Sequence, residues 1–134
     1  MAKSWSEKFA RPPQPAVHRL DKPYAGHGEG TQMLIPTPAI VAAYVQSIPE
    51  GESRTVPQMR EALAKAHQVD FTCPLTAGIF LRTAAELSWE QHQQGKALSK
   101  VTPFWRIIDL KAPVAKKLAC GIDFIRQQRG KEKI

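Results

Sequence analysis

The chain has 134 residues, with 19 Lys+Arg against 12 Asp+Glu, a formal net charge of +7, and 43% hydrophobic residues. That balance fits one globular domain with a buried core, and excludes a wholly disordered chain and a large two-domain enzyme. No apolar run approaches the ~18–20 residues that span a bilayer. The N-terminal stretch lacks a signal-peptide core, and Cys73 and Cys120 have no metal-type spacing, so the expectation is a reduced, cytoplasmic protein.

Residues 1–30 read as a basic, extended arm. Pro12, Pro13, Pro15 and Pro23 block regular helix, and His27-Gly28-Glu29-Gly30 marks a loop. A helix is expected from about Pro38 to Gln46, capped by Thr37, with Ile40, Val41, Tyr44, Val45 and Ile48 toward the core. Ile48-Pro49-Glu50-Gly51 is a turn, and a short strand is expected around Glu52–Thr55. Thr55 and Gln58 then fit a capping box, with Pro57 in the first turn. That helix should present Met59, Ala62, Leu63 and Ala66 on one face and fade near His67.

A third helix is expected from Cys73-Pro74, capped by Thr72, with Leu75, Ile79, Phe80, Ala84 and Leu87 as its core stripe and Gly95 as its stop. Gly78 inside it costs about 1 kcal/mol relative to Ala; close approach of another backbone would explain it. Val101–Ile108 is β-prone, Lys111–Lys117 is basic and loop-like, and Gly121–Gln128 returns to helix. Helices followed by hairpin material give a winged helix-turn-helix layout. The expected fold class is therefore α+β: a single, mostly helical winged helix-turn-helix domain over 31–134, with a small β wing and the extended arm of 1–30.

The charge is uneven. Residues 71–134 carry eleven Lys/Arg against five Asp/Glu, a net of +6, which points to a polyanionic partner, nucleic acid first. Thr72, Thr76, Ala77, Gly78 and Arg82 then form a candidate recognition helix whose N-terminal amides suit a phosphate. Lys96, Lys100, Lys111, Lys116 and Lys117 lie on or beside the wing as phosphate contacts.

Several of these pieces occur together in one family. Ile48-Pro49-Glu50-Gly51, Arg54-Thr55 and Thr102-Pro103-Phe104-Trp105-Arg106-Ile107-Ile108 resemble the DNA-binding domain of the alkylguanine-DNA alkyltransferases and alkyltransferase-like proteins. Gly28-Glu29-Gly30-Thr31, Met33-Leu34-Ile35-Pro36-Thr37-Pro38, Thr72-Cys73-Pro74-Leu75-Thr76 and Gly78-Ile79-Phe80 extend the resemblance, to a small bacterial methyltransferase-family group, over about residues 28–130. It implies binding to DNA, duplex above all, with Val56, Phe104, Trp105 and Arg106 at the place of the base pocket. Phe104 stands where those transferases carry the acceptor cysteine, and Trp105 where they carry its histidine. Neither can act as nucleophile or base, so no alkyl transfer and no catalytic residue are expected. What remains is a DNA-binding protein that recognises damaged or distorted DNA, without metal or other cofactor.

Two alternatives come from other classes. One is a winged-helix module for a protein partner, with Phe104 and Trp105 as core and Arg106 tying down carbonyls. The other is a thiol-dependent enzyme using Cys73, at a helix N-terminus that can lower its pKa. Cys120 reads as structural. Glu86, Glu90, Asp109 and Asp123 show no acid–base spacing and are assigned to the surface. His18, His27, His67 and His92 show no ligand pattern.

Overall fold

Threonine caps open two of the helices. In the computed structural model, which describes residues 3–134, Thr37 accepts the Ile40 amide and starts a helix over Pro38–Gln46 (α2). Thr55 and Gln58 close a reciprocal capping box on the helix Val56–Ala66 (α3). Both begin with proline near the first helical position, where its missing N–H costs nothing. Each matches the sequence expectation in position and cap. α2 turns Val41 and Val45 inward, with Ile48 buried just beyond it. α3 buries Met59, Leu63 and Ala64 rather than Ala62 or Ala66.

The remaining elements are a short helix Trp5–Phe9 (α1), strands Ala16–Arg19 (β1), Gln32–Ile35 (β2) and Phe71–Thr72 (β3), and helices Pro74–Gln93 (α4), Pro113–Lys117 (α5) and Ile122–Glu132 (α6). The class is α+β. The sheet runs β1-β2-β3, with β1 antiparallel to β2 and β2 parallel to β3. Of the expected arm, residues 3–30 are tied into the fold: α1 packs on α4, and β1 pairs with β2 in the register Val17↔Leu34.

The strands expected later in the chain do not form. Glu52–Thr55 is irregular, attached by one bond from the Arg54 amide to the Arg106 carbonyl, 2.9 Å. Val101–Ile108 carries a 3₁₀ turn at Phe104–Arg106, preceded by another at Leu98–Lys100, in place of a wing hairpin. Pro103 removes a ladder donor, and Phe104, Trp105, Ile107 and Ile108 are all buried. Burial of neighbours on every side conflicts with the alternation of a half-exposed strand. Local bonds satisfy the backbone instead, including Ile108 N–H to the Phe104 carbonyl at 2.9 Å. Lys111–Lys117, expected as loop, includes α5.

α4 begins and ends where the sequence places it. Its cap position is Cys73 rather than Thr72, which belongs to β3, and Gly95 beyond its end adopts φ +106°. Its buried face differs from the expected stripe. Ala77, Leu81, Thr83, Ala84, Ala85, Glu86 and Ser88 are inside, while Leu75 and Ile79 are 63% and 51% exposed. Small residues on the inner face let α2 and α1 pack closely along the helix. The core centres on Leu34, Val41, Met59, Phe104, Ile108 and Ile125.

Candidate nucleic-acid interface

The candidate surface is built from α4 outward. Leu75, Gly78, Ile79 and Arg82 are spaced i, i+3, i+4, i+7 and share one face of its first two turns. A Cβ placed on Gly78 would meet nothing within 4 Å. The close protein backbone expected there does not exist; the glycine faces open space. Arg82 reaches toward α5, donating to the Lys117 carbonyl at 3.4 Å. It also lies 3.5 Å from Glu86 Oε2 and has its guanidinium 5.7 Å from the Trp5 ring centroid. Lys116 and Lys117, both exposed, therefore border this face.

Other members of the expected interface are elsewhere. Ala77 is fully buried. Thr72 is buried and donates its hydroxyl to the Arg60 carbonyl at 2.7 Å. The Thr76 hydroxyl is also shielded from solvent. Thr72 and Ala77 are thus closed off from a DNA surface by burial, and Thr76 is half-buried with its hydroxyl turned inward. Lys96 and Lys100 follow the far end of α4, which spans ~30 Å over its 20 residues. They form a second basic locus, separate from Lys116 and Lys117. Lys111 is exposed in the turn before α5.

The N-terminal amides of α4 serve the protein itself. Burial pushes the Cys73 thiol up, but the Thr76 hydroxyl, the Thr76 and Leu75 amides and the Tyr24 hydroxyl outweigh it and hold the thiol below its ordinary value. Cys73 is nevertheless only 5% exposed. Cys120 is pushed up to about 11 by burial and the nearby Glu86 carboxylate.

Of the four residues expected to line a base pocket, Trp105 and Arg106 border one cavity of about 570 Å³, with Lys100 and Glu132 in its wall, while Phe104 lies buried behind Trp105 and Val56 is elsewhere. Phe104 is 1% exposed and packs edge-on against Trp105, with ring centroids 5.4 Å apart. Trp105 donates its indole N–H to Glu132 Oε2 at 2.6 Å. Arg106 pairs with the same carboxylate at 2.8 Å and donates to the Ile48 carbonyl at 2.9 Å. The Gly51 amide completes the set at 2.9 Å. Burial raises the Glu132 carboxyl, but hydrogen bonds from Arg106, Trp105 and Gly51 more than compensate and leave it below the usual range. This knot joins the Ile48–Gly51 turn, the Phe104–Arg106 turn and α6. It gives Trp105 and Arg106 architectural partners.

Val56 instead lines a separate cleft of about 320 Å³, between the start of α3 and the Ile107–Val114 segment. Pro57, Leu81, Ile107 and Ile108 supply apolar wall, and Arg54, Asp109 and Arg129 supply the charged groups. Its volume is at the lower end of small-ligand pockets. Leu81 belongs to α4, so this cleft adjoins the helix that carries Gly78.

Two groups here were missed by reading the sequence. Glu132 has no motif around it and could not have been found. Glu86, assigned to the surface, is 3% exposed, accepting the Ala119 amide at 3.0 Å and lying beside Arg82. Its i, i+4 spacing from Arg82 was the available signal. No protein-family model, curated protein or solved structure matches the chain.

Proposed function

We propose that this protein binds duplex DNA as an alkyltransferase-like protein without alkyl transfer, with α3 and α4 as its helix-turn-helix pair. The observation that carries the proposal is the open face of α4. Gly78 leaves room for a phosphodiester to approach the helix backbone, and Lys116 and Lys117 sit beside it as phosphate contacts. The apolar cleft beside Val56 and Leu81 offers space for a displaced or distorted base. Phe104 and Trp105 bring no nucleophile, which fits binding without chemistry. Recognition of damaged or distorted DNA is the role this arrangement favours.

The test is fluorescence anisotropy of a labelled duplex at two salt concentrations. Binding should weaken with salt by a slope of about −0.9 per neutralised phosphate. Replacing Lys116 and Lys117 together by Ala should lower the slope and weaken binding evenly across sequences. Absence of binding, or a flat salt response, overturns the proposal. The exposed Leu75 and Ile79 favour a second reading, a protein partner docked on the same face, and such a complex would survive high salt.

A further inference from the structure

One arginine away from the α4 face lacks a partner. Arg60 on α3 has its Nε shielded from solvent with no hydrogen-bond acceptor. Among the described residues its guanidinium enters no ion pair. A buried, unsatisfied donor costs about 1–3 kcal/mol, more when charged. Arg60 borders a cavity of about 390 Å³ between α3, β3 and the 24–27 turn. Pro57, Arg60, Glu61, Ala64 and Lys65 of α3 form its helical wall at i, i+3, i+4, i+7, i+8 spacing.

The opposite wall is held in a costly conformation. Tyr24 and His27 exchange backbone bonds of 2.9 and 2.8 Å across a two-residue turn, which puts Ala25 at φ +53°. A left-handed alanine costs roughly 1–2 kcal/mol, and such strain gathers at ligand clamps. Here it sets the His27 ring flat on Phe71, with centroids 3.8 Å apart and planes at 8°. Both rings line the cavity. Arg60 and Lys65 thus line the cavity from one side and His27 from the other. Two acids border the cavity as well. Asp70 Oδ2 is taken by the Gln32 amide at 2.9 Å, and Glu61 is exposed.

We infer that this cavity is a binding site for a phosphate group, with the terminal guanidinium nitrogens of Arg60 and the Lys65 ammonium as its two cations. The phosphate can belong to a small phosphorylated compound or to a nucleic-acid backbone. The experiment titrates pyrophosphate into the full chain at constant ionic strength, followed by amide chemical shifts and calorimetry. Wild-type protein should show saturable shifts at His27, Arg60 and Phe71. Arg60→Gln should bind at least ~tenfold more weakly, the loss of one charge-assisted hydrogen bond, and Arg60→Lys should fall between. A melting curve shows that each variant is folded.

Unchanged affinity of Arg60→Gln for a labelled duplex assigns the site to a free phosphorylated compound. A parallel loss of duplex affinity assigns it to the backbone. Non-saturable shifts, or equal pyrophosphate affinity in wild type and Arg60→Gln, overturn the inference.

Discussion

Gly78→Ala separates stability from binding at a single position. Gly78 is the fifth residue of a 20-residue helix, and an added Cβ has no neighbour within 4 Å. The substitution therefore introduces no clash and gains the difference in helix propensity, about 0.8–1 kcal/mol. Unfolding entropy of ~2.1 cal/mol/K per residue gives roughly 0.28 kcal/mol/K for this chain, so Tm should rise by about 3 °C. Differential scanning calorimetry reads that rise directly. The same methyl group occupies the space through which DNA would approach α4. An overpacked contact costs about 1 kcal/mol or more, so duplex affinity should fall about fivefold or more. An unchanged or lowered Tm would refute the claim of open space. A raised Tm with unchanged affinity would show that DNA does not meet this face.

Three further outcomes follow from the Glu132 knot and the core. Glu132→Ala leaves the Arg106 guanidinium and the Trp105 N–H without their acceptor, and should cost about 3 kcal/mol in urea unfolding. The native Glu132 carboxyl lies below its unfolded value, so its contribution is complete above the ordinary Glu pKa of ~4.3 and is lost as pH falls through the depressed native value. Wild-type Tm should therefore drop more steeply than that of Glu132→Gln below about pH 5; parallel curves would contradict the assignment. Phe104→Ala, at a position 1% exposed, should destabilise by about 3–5 kcal/mol, measured by the same unfolding assay.

Local chemistry was legible in the sequence, and long-range pairing was not. Thr37, the Thr55/Gln58 box and Gly95 mark boundaries through bonds to their own neighbours, and those boundaries stand in the structure. Val101–Ile108 has strand composition, yet its fate depends on Glu132, Arg129 and Arg54 coming from distant segments to take its polar groups. On α4 hydrophobicity and burial part company, so periodicity points to the wrong face. Alanines and Ser88 go inside for close helix packing, while Leu75 and Ile79 stay out. The aromatic pair at 104–105 marked an important position, but composition could not tell a pocket wall from a core anchor. The cleft beside Val56 takes its other walls from α4 and the 107–114 segment, which only the fold brings together.

The parallel pairing of β2 with β3 also shapes how the chain reaches this state. Met33 meets Phe71, and Leu34 meets Thr72, so each pair joins positions 38 apart along the chain. The length-dependent part of closing such a loop costs on the order of 3 kcal/mol. Two backbone pairs return little against that until α2 and α3 have shortened the span. The helices between the strands thus act as a spacer that lowers the cost of the contact, which favours late pairing of β3. Loop-closure entropy therefore favours an order of assembly from capped local helices to sheet, with the route from β3 into α4 set once α2 and α3 are formed.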